Sequence, residues 1–279
     1  MAKAQYIGVS GVARKVKKNY IGVSAVARKV KKGYIGVGGV ARQYFAGETP
    51  ISSLAVGGTV QVSEGGTLAD YIIVQIGAPN SNYVNADGYW LLRKTLWNYN
   101  NSNYYVKDDD NDPLQDYNFN WPTVTNSNVT NYVRPAEVAL YNRLPAKLQS
   151  LILEPTLMNY TYSSGSREYV KHTTAQPSKV FHLGFGEVNA WRSAVYKDEA
   201  VLQYFAGVSS NGQYGKADSL RVAYTDGGAA QSWWVRDGYG GTYKPGAVAS
   251  DGNCTYWYGN YYRPCFIVPK TAKLEDLLS

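Results

Sequence analysis

GAVASDGNCTYWYGNYYRPCFIVP, at residues 246–269, carries the clearest strand and turn signals in the chain. Asp251-Gly252 is one of the strongest hairpin dipeptides, because it accepts the backbone angles that a two-residue turn needs. Such a turn would place Val248 opposite Thr255. The last part, RPCFIVP at 263–269, is typical of a strand bounded by prolines. The stretch therefore predicts a hairpin, a tyrosine-rich connection and a closing strand.

The whole chain shares this richness in tyrosine. Of its 279 residues 26 are Tyr, and aromatic residues make up 14%. Charged residues make up 18%, below the roughly 25% of an average domain. This composition favours a β-rich surface protein with many loops over a helical enzyme. No run approaches the ~18 apolar residues of a membrane span, and the N-terminus lacks the apolar core of a secretion signal.

The positive charge is confined to an N-terminal arm, residues 1–47. Ten of the 28 Lys and Arg residues lie in this arm, which has no acidic residue, so the body holds 18 basic and 21 acidic residues. The arm consists of three similar units that repeat every 14 residues. They are YIGVSGVARKVKKN at 6–19, YIGVSAVARKVKKG at 20–33 and YIGVGGVARQYFAG at 34–47.

Each repeat unit has β-branched residues on both sides of a pair of small residues, which favours a two-residue turn. We therefore expect three hairpins or strand pairs, because two Gly in a unit disfavour a helix. One hairpin cannot bury a face by itself, so the arm is expected to order on a partner. Its attachment residues would be Tyr6, Tyr20 and Tyr34. The alternatives are a disordered basic tail and a nucleic-acid or nuclear-import segment.

The body, residues 48–279, begins with strand signals. Pro50 and a Gly-rich stretch mark the change from the arm. Two strands are predicted around a Gly65-Gly66 turn, and a third follows. They are TVQV at 59–62, DYIIVQIGAP at 70–79 and GYWLLRKTLW at 88–97.

Helical spacing of leucines appears between residues 134 and 157. Pro145 is expected to divide this helix and Pro155 to end it. Two further short helices are predicted, one after a strand within 179–188 and one at 197–205. The last quarter returns to strands, beginning with SWWVRD at 232–237.

Catalytic patterns are missing from the sequence. The acidic DDDND at 108–112 departs from a calcium loop, so we interpret it as a solvated loop. His172 and His182 have no second ligand at metal spacing, and His182 is expected to be a hydrogen-bonded structural residue. We expect no enzyme activity, no cofactor and no metal. Cys254 and Cys265 are expected to be free thiols, because assembly in a reducing cytoplasm disfavours disulfides.

The order of several landmarks resembles a group of phage and prophage proteins with a C-type-lectin-like domain, a group that includes a gut-bacterial domain of unknown function. The arm resembles repeats at the start of such tail proteins. The most specific landmarks are the Trp-Trp-x-Arg element and the Arg-Pro-x-x strand. In order, the landmarks are LAVGGTVQV, DYIIVQIGAP, GYWLLRK, NSNVTNYV with LPAKLQSLI, KVFHLGFGEV, SWWVRD and YYRPCFIVP, from about residue 54 to 269.

This resemblance implies an α+β fold: a mixed, β-rich C-type-lectin-like domain with two or more short helices, preceded by the β-repeat arm. It also implies that the segment between WWVRD and YYRP lies on the exposed face that binds a receptor in tail-fibre tips diversified by retroelements. The chain departs from the family in two places. Val235-Arg236-Asp237 stands where Leu-Arg-Ser is usual, and Cys265 stands where a small residue is common. Asp237 is thus expected to alter the edge of the site.

Residues 237–262 have the composition of a binding surface. Tyr gives a large, nearly rigid contact area and one hydroxyl, as in antibody loops, where Ser, Gly and Asn accompany it. Trp233, Trp257, Arg263 and Phe266 are expected to anchor this surface from below. The predicted receptor-binding residues are Asp237, Tyr239, Thr242, Tyr243, Lys244, Asn253, Thr255, Tyr256, Tyr258, Asn260, Tyr261 and Tyr262.

These features predict a phage tail adhesin, made in the bacterial cytoplasm and carried on the virion. The arm would bind tail or baseplate proteins, and the body would bind a bacterial surface receptor, a protein in preference to a glycan. A homotrimer is expected by analogy with tail tips. The alternatives are a structural virion protein whose loops contact neighbouring subunits, and a nucleic-acid-associated protein that uses the basic arm.

Overall fold

Antiparallel sheets and two short α-helices make up the described part of the chain, which is mixed α+β as predicted. The structure is a computed structural model. It describes residues 6–9, 12–15, 20–23, 26–29, 32–37, 40–46, 49–98, 134–163, 168–175, 179–189, 198–208, 217–238, 245–256 and 261–279.

Three hairpins form the arm. Val9 pairs with Val12, Val23 with Val26 and Val37 with Val40, so two residues separate the strands of each pair. This register confirms the three predicted strand pairs and the position of each turn. The strands are β1 (Tyr6–Val9), β2 (Val12–Lys15), β3 (Tyr20–Val23), β4 (Val26–Lys29), β5 (Lys32–Val37) and β6 (Val40–Ala46).

The tyrosines proposed for attachment occupy equivalent positions in the three hairpins. Tyr6 lies opposite Lys15, Tyr20 opposite Lys29 and Tyr34 opposite Gln43. Each hairpin forms its own two-stranded sheet. The repeat in sequence is therefore a repeat in backbone structure.

The elements of the body follow in chain order. The helices are α1 (Arg134–Arg143) and α2 (Ala146–Leu151). The strands are β7 (Thr59–Glu64), β8 (Thr67–Ile76), β9 (Gly88–Arg93), β10 (Thr156–Ser163), β11 (Glu168–Ala175), β12 (Val180–Phe181), β13 (Ala223–Tyr224), β14 (Ala230–Gln231), β15 (Trp233–Gly238), β16 (Pro245–Val248), β17 (Cys254–Tyr256) and β18 (Cys265–Pro269).

A five-stranded antiparallel sheet in the order β12-β18-β9-β8-β7 forms the centre of the body. Alternate residues of β8 enter different core clusters, Ile72 on one face and Ile73 on the other. The α1–α2 pair covers one face through Leu140 and Leu148. The other face packs against the region of β15, where Trp233 is buried. Both faces of the central sheet are therefore covered.

The first three body strands confirm the sequence prediction, with changed ends. Gly65 and Gly66 have positive φ values of 59° and 88°, as their turn requires. β8 begins three residues earlier than predicted and ends at Ile76. β9 ends at Arg93, and beyond it Trp97 makes only an isolated bridge to Tyr262.

Pro145 separates α1 from α2, as predicted. The two other helices predicted from sequence are wrong. Residues 185–189 form turns, and the N–H groups of Gly184 and Gly186 donate to the carboxylates of Glu187 and Glu199. The segment predicted as a helix at 197–205 has a single 3-10 turn, Gln203–Phe205.

The hairpin predicted around Asp251-Gly252 exists, but its register was wrong by one residue. Val248 pairs with Cys254, and Ala247 pairs with Thr255. The connection contains one more residue than a two-residue turn, and Gly252 takes the left-handed conformation at φ 82°. A three-residue loop that ends in a left-handed Gly is a common alternative to the two-residue turn.

Candidate functional site

The sheet β15-β16-β17 holds three of the six predicted binding residues that the structure describes: Asp237, Thr255 and Tyr256. Gly238 pairs with Pro245, and Gly246 pairs with Tyr256, so the end of β15, the start of β16 and the end of β17 lie at the same end of this sheet. Segment 239–244 connects β15 to β16 at this end, and segment 257–260 leaves it from Tyr256 and leads to Tyr261, which pairs with Trp233 at the start of β15.

The opposite end of this sheet is fixed by Arg221. Its Nε donates to the carbonyl of Gly252 at 2.7 Å, and its Nη1 donates to the carbonyl of Asn189 at 2.8 Å. Asn253 lies at this end, half-buried, and its N–H donates to Asp251. Asn253 is therefore separated from the end at which Tyr256 lies.

Arg236 lies at the centre of a buried ionic cluster beneath the sheet. Two of its nitrogens contact Glu187 at 2.6 Å each, and Nη2 also donates to Glu199 at 2.8 Å. Nε donates to the carbonyl of Met158, and Nη1 donates to that of His182. These bonds use all five N–H groups of the guanidinium, and its side chain is 0% exposed.

Asp237 belongs to the same buried cluster. Its carboxylate accepts hydrogen bonds from the N–H groups of Tyr160 at 2.9 Å and Phe185 at 2.6 Å. The prediction that Asp237 lies on an exposed face is wrong, because these bonds hold it in the interior at 0% exposure. The Arg236 cluster comprises Arg236, Asp237, Glu187 and Glu199, and it ties β15 to β10 and to the turns at 184–187.

Burial of several carboxylates around one cation changes their protonation. Burial raises the pKa of Asp237 to about 6. The pKa of Glu199 is raised well above its ordinary value by burial and by the charge of Asp237. Like charges that share a poorly solvated site favour retention of a proton.

His182 lies beside this cluster and is fully buried. Its Nδ1 lies 2.9 Å from Oε1 of Glu137 in α1, so the predicted hydrogen-bonded role is confirmed. Its ring packs edge-on against Tyr262, with centroids 5.7 Å apart. His172 lies in β11, opposite Asn159.

Tyr262 is 3% exposed, so its predicted display on the binding face is wrong. The backbone of Tyr262 pairs with that of Trp97, and its ring contacts His182. These two contacts place Tyr262 in the core. Tyr261 is half-buried, and its carbonyl accepts the N–H of Trp234. Of these two neighbouring tyrosines, only Tyr261 has surface left for a ligand.

Three of the four predicted anchors are buried as expected: Trp233, Arg263 and Phe266. The fourth, Trp257, lies outside the described residues. Other predicted binding residues are also outside them, and for Thr255 and Tyr256 only the strand position in β17 is described. The residues outside are Tyr239, Thr242, Tyr243, Lys244, Tyr258 and Asn260.

Both cysteines are buried free thiols, in agreement with the prediction. Cys254 lies in the three-stranded sheet and Cys265 in the central sheet. Burial raises the pKa of Cys254 to about 12. The described residues contain no group of three or more His, Cys, Asp and Glu side chains arranged to hold a metal ion. Within the same residues, no helix is long and apolar enough to cross a membrane.

Sequence reasoning missed Glu187, Glu199 and Arg221. A signal was present for Glu187, which follows Gly-Phe-Gly and precedes Val188 in an apolar stretch, but not for Glu199, which directly follows Lys197 and Asp198. A lone acid among apolar residues indicates a buried, paired carboxylate more often than an exposed one.

A family model described as a domain of unknown function, DUF6273, matches residues 82–270. The match spans more than half of the chain, so the protein belongs to this family. No curated protein matches the chain. No solved structure matches it either.

Proposed function

We propose that this member of the DUF6273 family is a phage tail adhesin, whose body is a C-type-lectin-like domain that binds the surface of a bacterial host. The landmarks shared with phage and prophage proteins support this proposal. The family match covers the region from the end of the first body hairpin to the last strand, which includes the proposed face. The role is binding rather than catalysis.

One observation carries the proposal. The tyrosine-containing segment 239–244 connects two strands at one end of the sheet β15-β16-β17, and segment 257–260 begins at the same end. Beneath this sheet, the Arg236 cluster fixes β15 to the rest of the core with five hydrogen bonds. A binding surface gains affinity when its support is rigid, because less entropy is lost on association.

The arm would attach this body to tail or baseplate proteins. Its three hairpins share one register from the tyrosine to the turn, and the arm as a whole carries ten basic residues without an acid, so the hairpins can present similar contacts to a repeated or acidic partner surface. The assembly would be a homotrimer on the virion. This placement separates attachment, in residues 1–47, from recognition, in the body.

The test is adsorption of the full chain to candidate host cells. A variant with Tyr256, Tyr258 and Tyr261 changed to Ala is expected to bind at least tenfold more weakly, since a central aromatic residue commonly contributes ~2 kcal/mol or more to binding. Tyr224→Ala is the matched control, because Tyr224 is 52% exposed and lies outside the proposed face. Tyr262 stays unchanged, because it is a core residue.

Undiminished adsorption by a correctly folded triple variant would overturn the site. If the same tyrosines are buried between subunits in intact particles, the structural virion role replaces adhesion. Salt-sensitive DNA binding that disappears on deletion of residues 1–47 would favour the nucleic-acid role instead.

A further inference from the structure

The Arg236 cluster contains more acidic than basic groups. Its three carboxyl groups belong to Glu187, Glu199 and Asp237, and these residues are buried together with Arg236. Within the described residues, Arg236 is the only cation in ion-pair contact with any of them. If every group were ionised, three negative charges would face one positive charge. A buried charge without a counter-ion is strongly unfavourable, so the composition of the cluster favours a bound proton.

The contacts of the three acids show which of them can hold this proton. Both oxygens of Glu187 lie 2.6 Å from nitrogens of Arg236, a bidentate contact that assigns the ion pair to Glu187. Glu199 shares one of the same nitrogens at 2.8 Å. Asp237 accepts hydrogen bonds from two backbone N–H groups. The proton therefore belongs to Glu199 and Asp237.

These two carboxyl groups lie beside each other, around Gly184. A Cβ atom at Gly184 would collide with Oε1 of Glu199 and would lie 2.7 Å from Oδ2 of Asp237. Burial and the charge of Asp237 raise the pKa of Glu199 well above its ordinary value, and burial raises the pKa of Asp237 to about 6. Because each charge disfavours the other, the two groups titrate as a pair.

The titratable groups on the surrounding elements supply no counter-charge to this pair. They are Tyr83 before β9, Tyr160 in β10, His182 after β12 and Cys265 in β18. Burial raises the pKa of the two phenols and of the thiol, so these groups are uncharged at neutral pH. The ring of His182 contacts Glu137, and Lys171 pairs with Asp198 at 2.9 Å.

Arg236 and Asp237 lie in a bulge between β15 and β16. Three residues of β15, 235–237, lie opposite the single residue Gly246 of β16. Ladder hydrogen bonds are locally disrupted at a bulge. The side chains of Arg236 and Asp237 instead bond this part of β15 to β10 and to the turns at 184–187. The bulge ends one residue before the proposed binding segment, 239–244.

We propose that the Arg236 cluster is a proton-dependent latch for the end of β15. At neutral pH, one proton held by Glu199 and Asp237 keeps Asp237 on its two N–H donors. Loss of this proton to solvent at alkaline pH leaves uncompensated negative charge, and Asp237 moves away because it is the acid without a bond to Arg236. The segment 239–244 then loses its attachment to the core. The weaker receptor binding that follows rests on the proposed function.

The first test counts the proton by urea unfolding. The ordinary pKa values of Glu199 and Asp237 are 4.5 and 3.8, so the unfolded chain does not hold this proton at neutral pH. The stability that it contributes is present at acid pH and is lost as the pH rises through the raised pKa of the pair. One proton changes the unfolding constant about tenfold per pH unit. The unfolding constant of wild type relative to Glu199→Gln should therefore rise about tenfold from about pH 6.5 to about pH 7.5.

A ratio that stays constant over this pH range would overturn the proposal. Asp70→Asn is the control, because Asp70 forms an exposed ion pair with Lys94, and it should keep the pH dependence of wild type. If Glu199→Gln does not fold, the protons released when wild type unfolds at about pH 8 decide. About one proton is expected in weakly buffered urea, and release of none would refute the bound proton.

Hydrogen exchange measured by NMR tests the latch itself. The amides of Tyr160 and Phe185 donate to Asp237, so their protection, corrected for the intrinsic effect of pH, should fall at least tenfold from about pH 7 to about pH 9. The amide of Ile73 donates to Gly58 in the central sheet and controls for global opening. Equal changes in protection at all three amides would refute a local latch, even if a proton is bound.

Adsorption to candidate host cells separates this inference from the adhesin proposal. If the two amides lose protection at alkaline pH but wild type adsorbs to no host cell at any pH, the latch stands and the adhesin proposal fails. If wild type adsorbs equally at both pH values and the two amides keep their protection, the latch is wrong and the adhesin proposal stands.

Discussion

Replacement of Arg236 by Met is expected to lower the free energy of unfolding by about 5 kcal/mol. Removal of one partner from a buried ion pair commonly costs about 3–5 kcal/mol, because the remaining charge stays buried without compensation. Arg236 serves two carboxylates, Glu187 and Glu199, and lies next to Asp237 in the same buried cluster. The cost should therefore reach the upper end of this range, which is a large part of the ~5–15 kcal/mol stability of a typical domain.

Arg236→Lys should fall between wild type and Arg236→Met. Lysine keeps the positive charge but offers three donors, whereas Arg236 makes five hydrogen bonds. Two acceptors would lose their donor, and each buried unsatisfied group costs about 1–3 kcal/mol. The expected loss is thus at least about 2 kcal/mol and below the about 5 kcal/mol expected for Arg236→Met.

The measurement is urea unfolding followed by tryptophan fluorescence, with Lys94→Met as the matched control. Lys94 lies 3.8 Å from Asp70 in an exposed ion pair, for which we expect a loss below about 1 kcal/mol. A loss for Arg236→Met that is no larger than that of the control would refute the reasoning. It would mean that the Arg236 cluster does not hold β15 against the core.

Three other predictions follow from single positions. The pKa of the Asp237 carboxyl is about 6 in the folded protein against an ordinary 3.8, so its contribution to stability is largest below about pH 4 and is lost as the pH rises to about 6. The urea midpoint of wild type relative to Asp237→Asn should therefore fall across this pH window, and a constant difference between the two midpoints would contradict the prediction. In the same urea assay, Gly252→Ala should lower the free energy of unfolding by more than about 2 kcal/mol and Gly57→Ala by about 1 kcal/mol, because both glycines have positive φ but only Gly252 lies against a backbone carbonyl. Equal losses for the two variants would argue against that close contact. Cys254 and Cys265 should react with a thiol reagent only in denaturant, because both are buried and burial raises the pKa of their thiols. Rapid labelling of the native protein would refute this burial.

Local sequence signals predicted the strands of the first body hairpin and the division of the helices. The Gly65-Gly66 turn separates two runs of β-forming residues, and Pro145 cannot continue the helix that precedes it. Both features act on their own neighbours in the chain. For that reason they are visible in the sequence without knowledge of the fold.

The buried ionic cluster was not predictable in this way, because its contacts span long distances in sequence. Arg236 bonds to residues that lie 37, 49 and 78 positions away. Asp237 was placed on the surface because the family resemblance implies an exposed face after the Trp-Trp-x-Arg element, at whose edge Asp237 stands where Ser is usual. Two backbone N–H groups satisfy its carboxylate in the interior, and no local pattern indicates such donors.

In the proposed adhesin, the same contacts would allow a stable fold to carry a variable surface. Every residue from Ser232 to Asp237 is buried, so the described contacts that stabilise β15 are made before the chain reaches Gly238. Segment 239–244 follows that point, and segment 257–260 begins at the same end of the sheet, where Gly238 pairs with Pro245. The side chains proposed to recognise a receptor could therefore change in sequence without loss of the Arg236 contacts. A surface that evolves quickly needs this independence, because natural proteins have only a small margin of stability to lose.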